Sequence, residues 1–168
     1  MTTSGALATI AQVAITLLGF TGVVAVLGRR ARGVWTGLEI ATFRTLLEAS
    51  ATALFASFLP GVLTLAMASD LAPWRIANLV LGAVHLAFFI AFFWRIRGFA
   101  TSPTLVQKLL TPTGPLIIGA HFLTAAGIIP GAELIFLLGL LQQLFVGIET
   151  FVVLLLHAMP GTHDAGAA

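Results

Sequence analysis

Four ionisable side chains lie inside long apolar stretches of this sequence: Glu48, His85, His121 and Glu149. A charged side chain at the centre of a bilayer costs about 2.5–3.5 kcal/mol on insertion scales, so such groups usually face a protein interior and a partner. Carboxylate and imidazole groups also take up and release protons. These residues therefore predict a path for ions or protons through a membrane-embedded protein.

The four groups are expected to lie at a similar depth. With a helical rise of 1.5 Å per residue, each falls roughly 9–13 Å inside the same membrane face. Gln142 lies seven residues before Glu149 and so shares its helix face. The sequence predicts one polar cluster in the inner half of the bilayer, formed by Arg44, Glu48, His85, His121, Gln142 and Glu149.

The charged residues also have structural interpretations. Arg44, Glu48 and Thr52 are spaced four apart, so they would form one polar stripe on a helix. This stripe either lines an ion path or is an intrahelical ion pair whose arginine reaches the lipid headgroups. Glu149 either belongs to the path or joins two helices as a protonated or salt-bridged carboxylate.

The helix that carries Glu48 continues with small residues. They are Ala49, Ser50, Ala51, Thr52, Ala53, Ala56 and Ser57. Small side chains let membrane helices approach each other closely. We therefore expect this helix at the centre of a bundle, with the other helices around it.

His85 and His121 are also candidate ligands for haem b, because iron takes axial imidazole ligands and the two histidines lie on neighbouring predicted helices. Several phenylalanines within two turns of His85 would pack against a porphyrin: Phe88, Phe89, Phe92 and Phe93. In the alternative interpretation these rings face lipid, and each histidine bonds to another helix. The sequence requires no cofactor.

Motifs of the common enzyme classes are absent from the sequence. There is no Gly-rich phosphate loop, no His-Glu-x-x-His metal site and no nucleophile elbow. Cysteine does not occur, which excludes disulfides, Cys-ligated metal centres and thiol catalysis. We therefore do not expect an enzyme.

The composition defines the class of protein. Of the 168 residues, 59% are hydrophobic and 8% are charged, whereas a soluble domain carries about 25% charged residues. A net charge of only +2 argues against nucleic-acid binding. We predict an all-α polytopic membrane bundle with one domain over residues 1–159 and a flexible tail over residues 160–168.

Five transmembrane helices are predicted, because about 20 apolar residues cross a bilayer. They cover residues 7–27, 38–67, 74–94, 115–129 and 134–157. Pro60 should kink the second helix or end it. The fourth is short, so it either crosses in extended form or makes a re-entrant arm. Just before it, residues 101–113 favour a short amphipathic helix at the membrane interface.

Basic residues beside the spans predict the orientation, since they are enriched in cytoplasmic loops. The second and fourth loops hold only Arg75. The first and third loops hold Arg29, Arg30, Arg32, Arg95, Arg97 and Lys108. Five crossings then place the N-terminus outside and the C-terminus inside a cell inner (plasma) membrane.

The expected function is a small ion or proton conduit or carrier, embedded in the lipid bilayer. Its small helix faces favour a homo-oligomer or a complex with a membrane-protein partner. One alternative is an accessory or structural subunit whose intramembrane charges pair with that partner. A second alternative is a haem b-binding subunit for electron transfer.

Overall fold

Five α-helices make up the computed structural model, which describes residues 2–32, 35–67, 71–97 and 105–158. The helices are α1 (Thr3–Arg32), α2 (Gly37–Ala66), α3 (Ala72–Ile96), α4 (Leu105–Ala125) and α5 (Ala132–Ala158). Four of them, α1, α2, α3 and α5, are long and apolar enough to cross a membrane. The prediction of an all-helical chain with several membrane-spanning helices is confirmed at this level. The predicted tail over residues 160–168 lies outside the described residues.

Helices that follow each other in the chain run in opposite directions. Thr3 donates a hydrogen bond to a carboxylate oxygen of Glu133 at 2.8 Å, so α1 and α5 begin at the same end. Gly127, just beyond α4, lies against the guanidinium of Arg75, so α4 ends where α3 begins. We call this the Arg75 end of the bundle, and the opposite end, where α3 stops, the Arg95 end.

The helix at the centre is α5, which packs against all four others, whereas α2 packs against α1, α3 and α5. The expectation of a central α2 is therefore wrong in its choice of helix. The small residues Ala49, Ala53 and Ser57 are nevertheless buried, as expected of a packing face. Gly139 and Gly147 let other helices approach α5, and this extra access explains its central position.

The beginning of α2 is determined locally. Thr36 accepts a hydrogen bond from the backbone of Glu39 at 3.2 Å, and the Glu39 carboxylate accepts one from the backbone of Thr36 at 2.8 Å. This reciprocal capping box satisfies two backbone donors that the first helical turn leaves unpaired. The helix does not end at Pro60 but continues through it to Ala66. The kink at Pro60 stays a prediction.

The fourth helix differs most from expectation. The predicted interfacial helix over 101–113 and the predicted span over 115–129 share a single helix, α4, that contains Pro112 and Pro115. Residues 101–104 lie outside the described part of the chain. In membrane proteins, packed neighbours allow a helix to continue through proline. The expected boundary between Thr113 and Pro115 is therefore wrong.

The end of α4 comes four residues before the predicted end. Gly127 has a φ of 75°, a left-handed conformation that glycine adopts without a steric penalty. Its backbone N–H donates to Thr124 at 3.0 Å, and the N–H of Ile128 donates to Leu123 at 2.9 Å. These two bonds form a Schellman motif, which terminates the helix at Ala125 although the next residues are apolar.

Candidate functional site

The structure brings His85 of α3 and His121 of α4 into contact. Their ring centroids are 5.2 Å apart, with an angle of 53° between the ring planes. His85 is 5% exposed and His121 is fully buried. Within the described residues, neither nitrogen of His85 nor Nε2 of His121 has a hydrogen-bond partner. Buried polar atoms are normally hydrogen-bonded, so this pair requires a functional or solvent-based explanation.

Two glycines make room for the imidazole of His121. A β-carbon at Gly82 of α3 would lie 2.9 Å from Cβ of His121. One at Gly139 of α5 would overlap the Nε2 edge of His121, and it would lie 3.3 Å from Cε1 of His85. The three helices therefore meet around the imidazole pair because both positions lack a side chain.

Asn78 also belongs to this site, although it was not predicted from the sequence. It is fully buried on α3, and its Oδ1 lies 2.7 Å from Nδ1 of His121. Its amide nitrogen donates to the backbone oxygens of Trp74 and Ala132, both at 2.8 Å. A polar residue seven positions before His85 shares its helix face, and this spacing was the available signal.

A second cluster forms around Glu48. Its carboxylate accepts a hydrogen bond from Nε of Arg44 at 2.8 Å, and Nη2 of Arg95 lies 2.7 and 2.9 Å from its two oxygens. The side chains of Glu48 and Arg95 are 19% and 18% exposed, whereas that of Arg44 is 66% exposed. Arg95 therefore joins α3 to α2. From the sequence, Arg95 was expected only in a loop, because it directly follows the third predicted span.

Five of the six predicted site residues lie at two levels rather than one, and the sixth, Gln142, lies between them. Ser50 of α2 lies beside Gly147 of α5, and the two helices are antiparallel, so Glu48 and Glu149 come to the same level. Gly139, beside the histidines, precedes Glu149 by ten residues, which is about 15 Å along a helix. The expected single plane is wrong because each depth was counted from a helix end that the sequence places only approximately.

Gln142 lies between the two levels on α5. Its amide nitrogen donates to the hydroxyl of Thr113 on α4 at 3.3 Å. Glu149 is half-buried on the same helix. The structure thus places one carboxylate level towards the Arg95 end, one imidazole level towards the Arg75 end, and an amide between them.

The histidine pair does not fit haem in this arrangement. A porphyrin would have to lie between the two ligating nitrogens, but the Nε2 edge of His121 lies directly against the backbone of Gly139. With the ring centroids only 5.2 Å apart, the helices leave no flat space of porphyrin width. Among the described residues, no group of three or more His, Cys, Asp or Glu side chains is placed to hold a metal ion.

No family model, curated protein or solved structure matches this chain. The chemistry of the site therefore rests on its geometry. The imidazole pair can accept and release a proton, because Nε2 of His121 and both nitrogens of His85 have no hydrogen-bond partner in the described residues. Cε1 of His85 and Nε2 of His121 both lie near Gly139. The cluster around Glu48 holds its charges in ion pairs, and it joins two helices.

Proposed function

We propose that this protein moves protons across its membrane and that the imidazoles of His85 and His121 hold the proton on its way. The observation that carries the proposal is their contact inside the bundle, with three ring nitrogens that have no hydrogen-bond partner in the described residues. Imidazole exchanges protons readily near neutral pH. Ionisable residues within membrane helices commonly form proton relays.

The position of the carboxylates suggests how the proton would travel between the histidine pair and the Arg95 end. Glu48 and Glu149 lie between the histidine pair and the Arg95 end, and Gln142 lies between the two levels. A proton does not transfer directly over the roughly 15 Å that separate the levels, so the route requires water molecules between them. Under this proposal the carboxylates exchange the proton with the Arg95 end.

The contacts of Glu48 weigh against the alternative of an accessory subunit. That alternative was motivated by intramembrane charges that need a partner protein. Glu48 is already paired with Arg44 and Arg95 of its own chain, so its charge does not require a second protein. The haem alternative loses its support because the packing at Gly139 leaves no space for a porphyrin.

Five crossings are part of the proposal, and the course of α4 supports the fifth. Gly114 lies beside Phe89, His121 beside Gly82, and Gly127 beside Arg75. The helix therefore runs antiparallel to α3 and returns the chain to the Arg75 end. The six basic residues assigned above to the first and third loops lie near the ends of α1, α3 and α4 that meet at the opposite end. We therefore infer that the Arg95 end faces the cytoplasm of a bacterial-type inner membrane.

Reporter fusions test this orientation. We expect a reporter that is active only outside the cell to function when fused near Gly5, and a reporter that is active only in the cytoplasm to function after Ala168. The reason is that an odd number of crossings separates the two termini. If both termini lie in one compartment, α4 does not cross and the number of spans is four.

Proton flux into liposomes tests the function itself. Purified protein in liposomes that enclose a pH-sensitive dye should carry protons down an imposed gradient. We expect His85→Gln and His121→Gln each to lower the flux by about 100-fold or to the rate of empty liposomes, since a positioned proton-transfer group typically contributes roughly 10²–10⁴-fold. Glutamine preserves hydrogen bonding but does not exchange a proton.

The matched control is His157→Gln, which removes a histidine in the last turn of α5, away from the pair. Its flux should equal that of the wild type. Thermal unfolding in detergent checks that each variant is folded. The proposal is wrong if the wild-type protein conducts no faster than empty liposomes, or if the double His85→Gln, His121→Gln variant is folded and keeps its flux.

A further inference from the structure

The amide of Asn78 has one chemically acceptable orientation. Its nitrogen lies 2.8 Å from two backbone carbonyl oxygens, those of Trp74 in its own helix and Ala132 at the start of α5. A rotated amide would place an oxygen against both carbonyls, and two acceptors repel each other. The nitrogen therefore donates to the carbonyls, and Oδ1 points at Nδ1 of His121.

This orientation determines the tautomer of His121. Oδ1 of Asn78 only accepts hydrogen bonds, so Nδ1 of His121, 2.7 Å away, must carry the proton of that bond. In the neutral imidazole the other nitrogen, Nε2, then has a bare lone pair. Nε2 lies at Gly139, where Cε1 of His85 also approaches.

We propose that Asn78 is a positioning residue that fixes His121 as its Nδ1–H tautomer and so restricts proton exchange to Nε2. This inference rests on the proposed function. A proton from the imidazolium form of His85, or from a hydronium ion, binds the lone pair of Nε2. The donor becomes neutral imidazole or water, and the ring of His121 becomes an imidazolium with both nitrogens protonated. On release the same proton leaves Nε2, and the neutral Nδ1–H tautomer is restored.

The surrounding glycines keep the ring in this orientation. Gly82 lies against Cβ of His121 on one side, and Gly139 lies against the Nε2 edge on the other. A rotation that exchanged the two ring edges would break the bond to Asn78 and need space that these backbones occupy. His121 is thus a one-sided proton site, whereas both nitrogens of His85 are without partners in the described chain. His85 is the member that passes the proton onward.

Solid-state NMR of the protein in lipid bilayers, labelled with 15N-histidine, tests the tautomer. Protonated and bare ring nitrogens resonate at separate frequencies, and the spectrum of His121→Gln assigns the signals of His121 by their loss. We expect a protonated Nδ1 and a bare Nε2 in the wild type. In Asn78→Leu we expect a mixture of tautomers or the Nε2–H form, because the acceptor at Nδ1 is gone.

Proton flux provides the second measurement. We expect Asn78→Leu to lower the flux by about 10–100-fold, the range of the effect when a metal-ligating histidine loses its hydrogen-bond partner. The carboxylic acid of Asn78→Asp can donate its proton to a backbone carbonyl in place of the amide and keep its other oxygen facing Nδ1, so this variant should retain the Nδ1–H signal. If Asn78→Leu does not fold, the wild-type spectrum and Asn78→Asp decide the tautomer.

The two proposals fail in different ways. An Nε2–H tautomer in the wild type, or an Nδ1–H tautomer that persists in folded Asn78→Leu, overturns the role of Asn78. Folded Asn78→Leu with wild-type flux overturns it as well. A wild-type protein that shows the Nδ1–H signal but carries no protons overturns the proposed function and leaves the tautomer assigned.

Discussion

Gly139→Ala is expected to destabilise the bundle by about 3 kcal/mol, at the upper end of the usual cost of overpacking. The added methyl group would overlap the Nε2 edge of His121. The imidazole cannot withdraw, because Gly82 lies against its Cβ on the far side, so the helices must separate. Thermal unfolding in detergent, followed by circular dichroism, measures the loss.

Two other glycines provide graded controls for this prediction. A β-carbon at Gly119 of α4 would meet no neighbouring atom within 4 Å, so Gly119→Ala should be neutral or stabilise by up to about 1 kcal/mol through helix propensity. Gly147 is intermediate, since a β-carbon there would lie 3.3 Å from the Ser50 hydroxyl. Equal stability of the Gly139 and Gly119 variants would contradict the packing of the site.

A double-mutant cycle identifies the clash as the cause. His121→Ala removes the imidazole that the new methyl group would meet, so Gly139→Ala should cost less than about 1 kcal/mol in that background. The coupling free energy of about 2 kcal/mol lies in the range for residues in direct contact. Additive effects would show that Gly139→Ala destabilises the bundle for another reason.

Arg95→Ala is expected to destabilise the protein by about 2–3 kcal/mol. The reason is that Glu48 loses its ion-pair partner Arg95, and both side chains are largely shielded from solvent. Removing one partner of a fully buried ion pair typically costs about 3–5 kcal/mol, and partial exposure reduces that cost. Arg44→Ala should cost less than about 1 kcal/mol, since Arg44 is 66% exposed and forms an intrahelical pair. Thermal unfolding in detergent again measures both.

The neutral double variant Glu48→Met, Arg95→Met is the control. It removes both charges and keeps side chains of similar length. Its free energy of unfolding should therefore lie within about 1 kcal/mol of the wild-type value. This comparison separates the cost of a stranded charge from the loss of packing. If Arg95→Ala is no less stable than Arg44→Ala, the ion pair between α2 and α3 does not form in the membrane.

The positions of the apolar helices were predictable because their signals are local. Residues 38–67 were predicted for the second helix, and α2 covers Gly37–Ala66. The run of apolar residues and the capping box of Thr36 and Glu39 depend only on residues that are neighbours in the chain. The prediction failed for α4, because Pro112 and Pro115 look like helix boundaries until neighbouring helices are known to support the backbone.

The partners within the site were not predictable in the same way. His121 meets Asn78 across 43 residues, and Arg95 meets Glu48 across 47. Spacing along one helix shows which residues share a face, as it did for Arg44 and Glu48. It carries no information on the rotation and register of that helix against another.

The sequence by itself determined that this chain is helical, apolar enough for a membrane, and equipped with ionisable side chains inside its apolar stretches. These properties depend on composition and on the order of neighbouring residues. Only the tertiary structure decided that the histidines and the carboxylates occupy separate levels and that Asn78 holds His121. The physical reason is close packing: Gly82 and Gly139 let three helices approach at one point, and that approach sets which polar groups can touch.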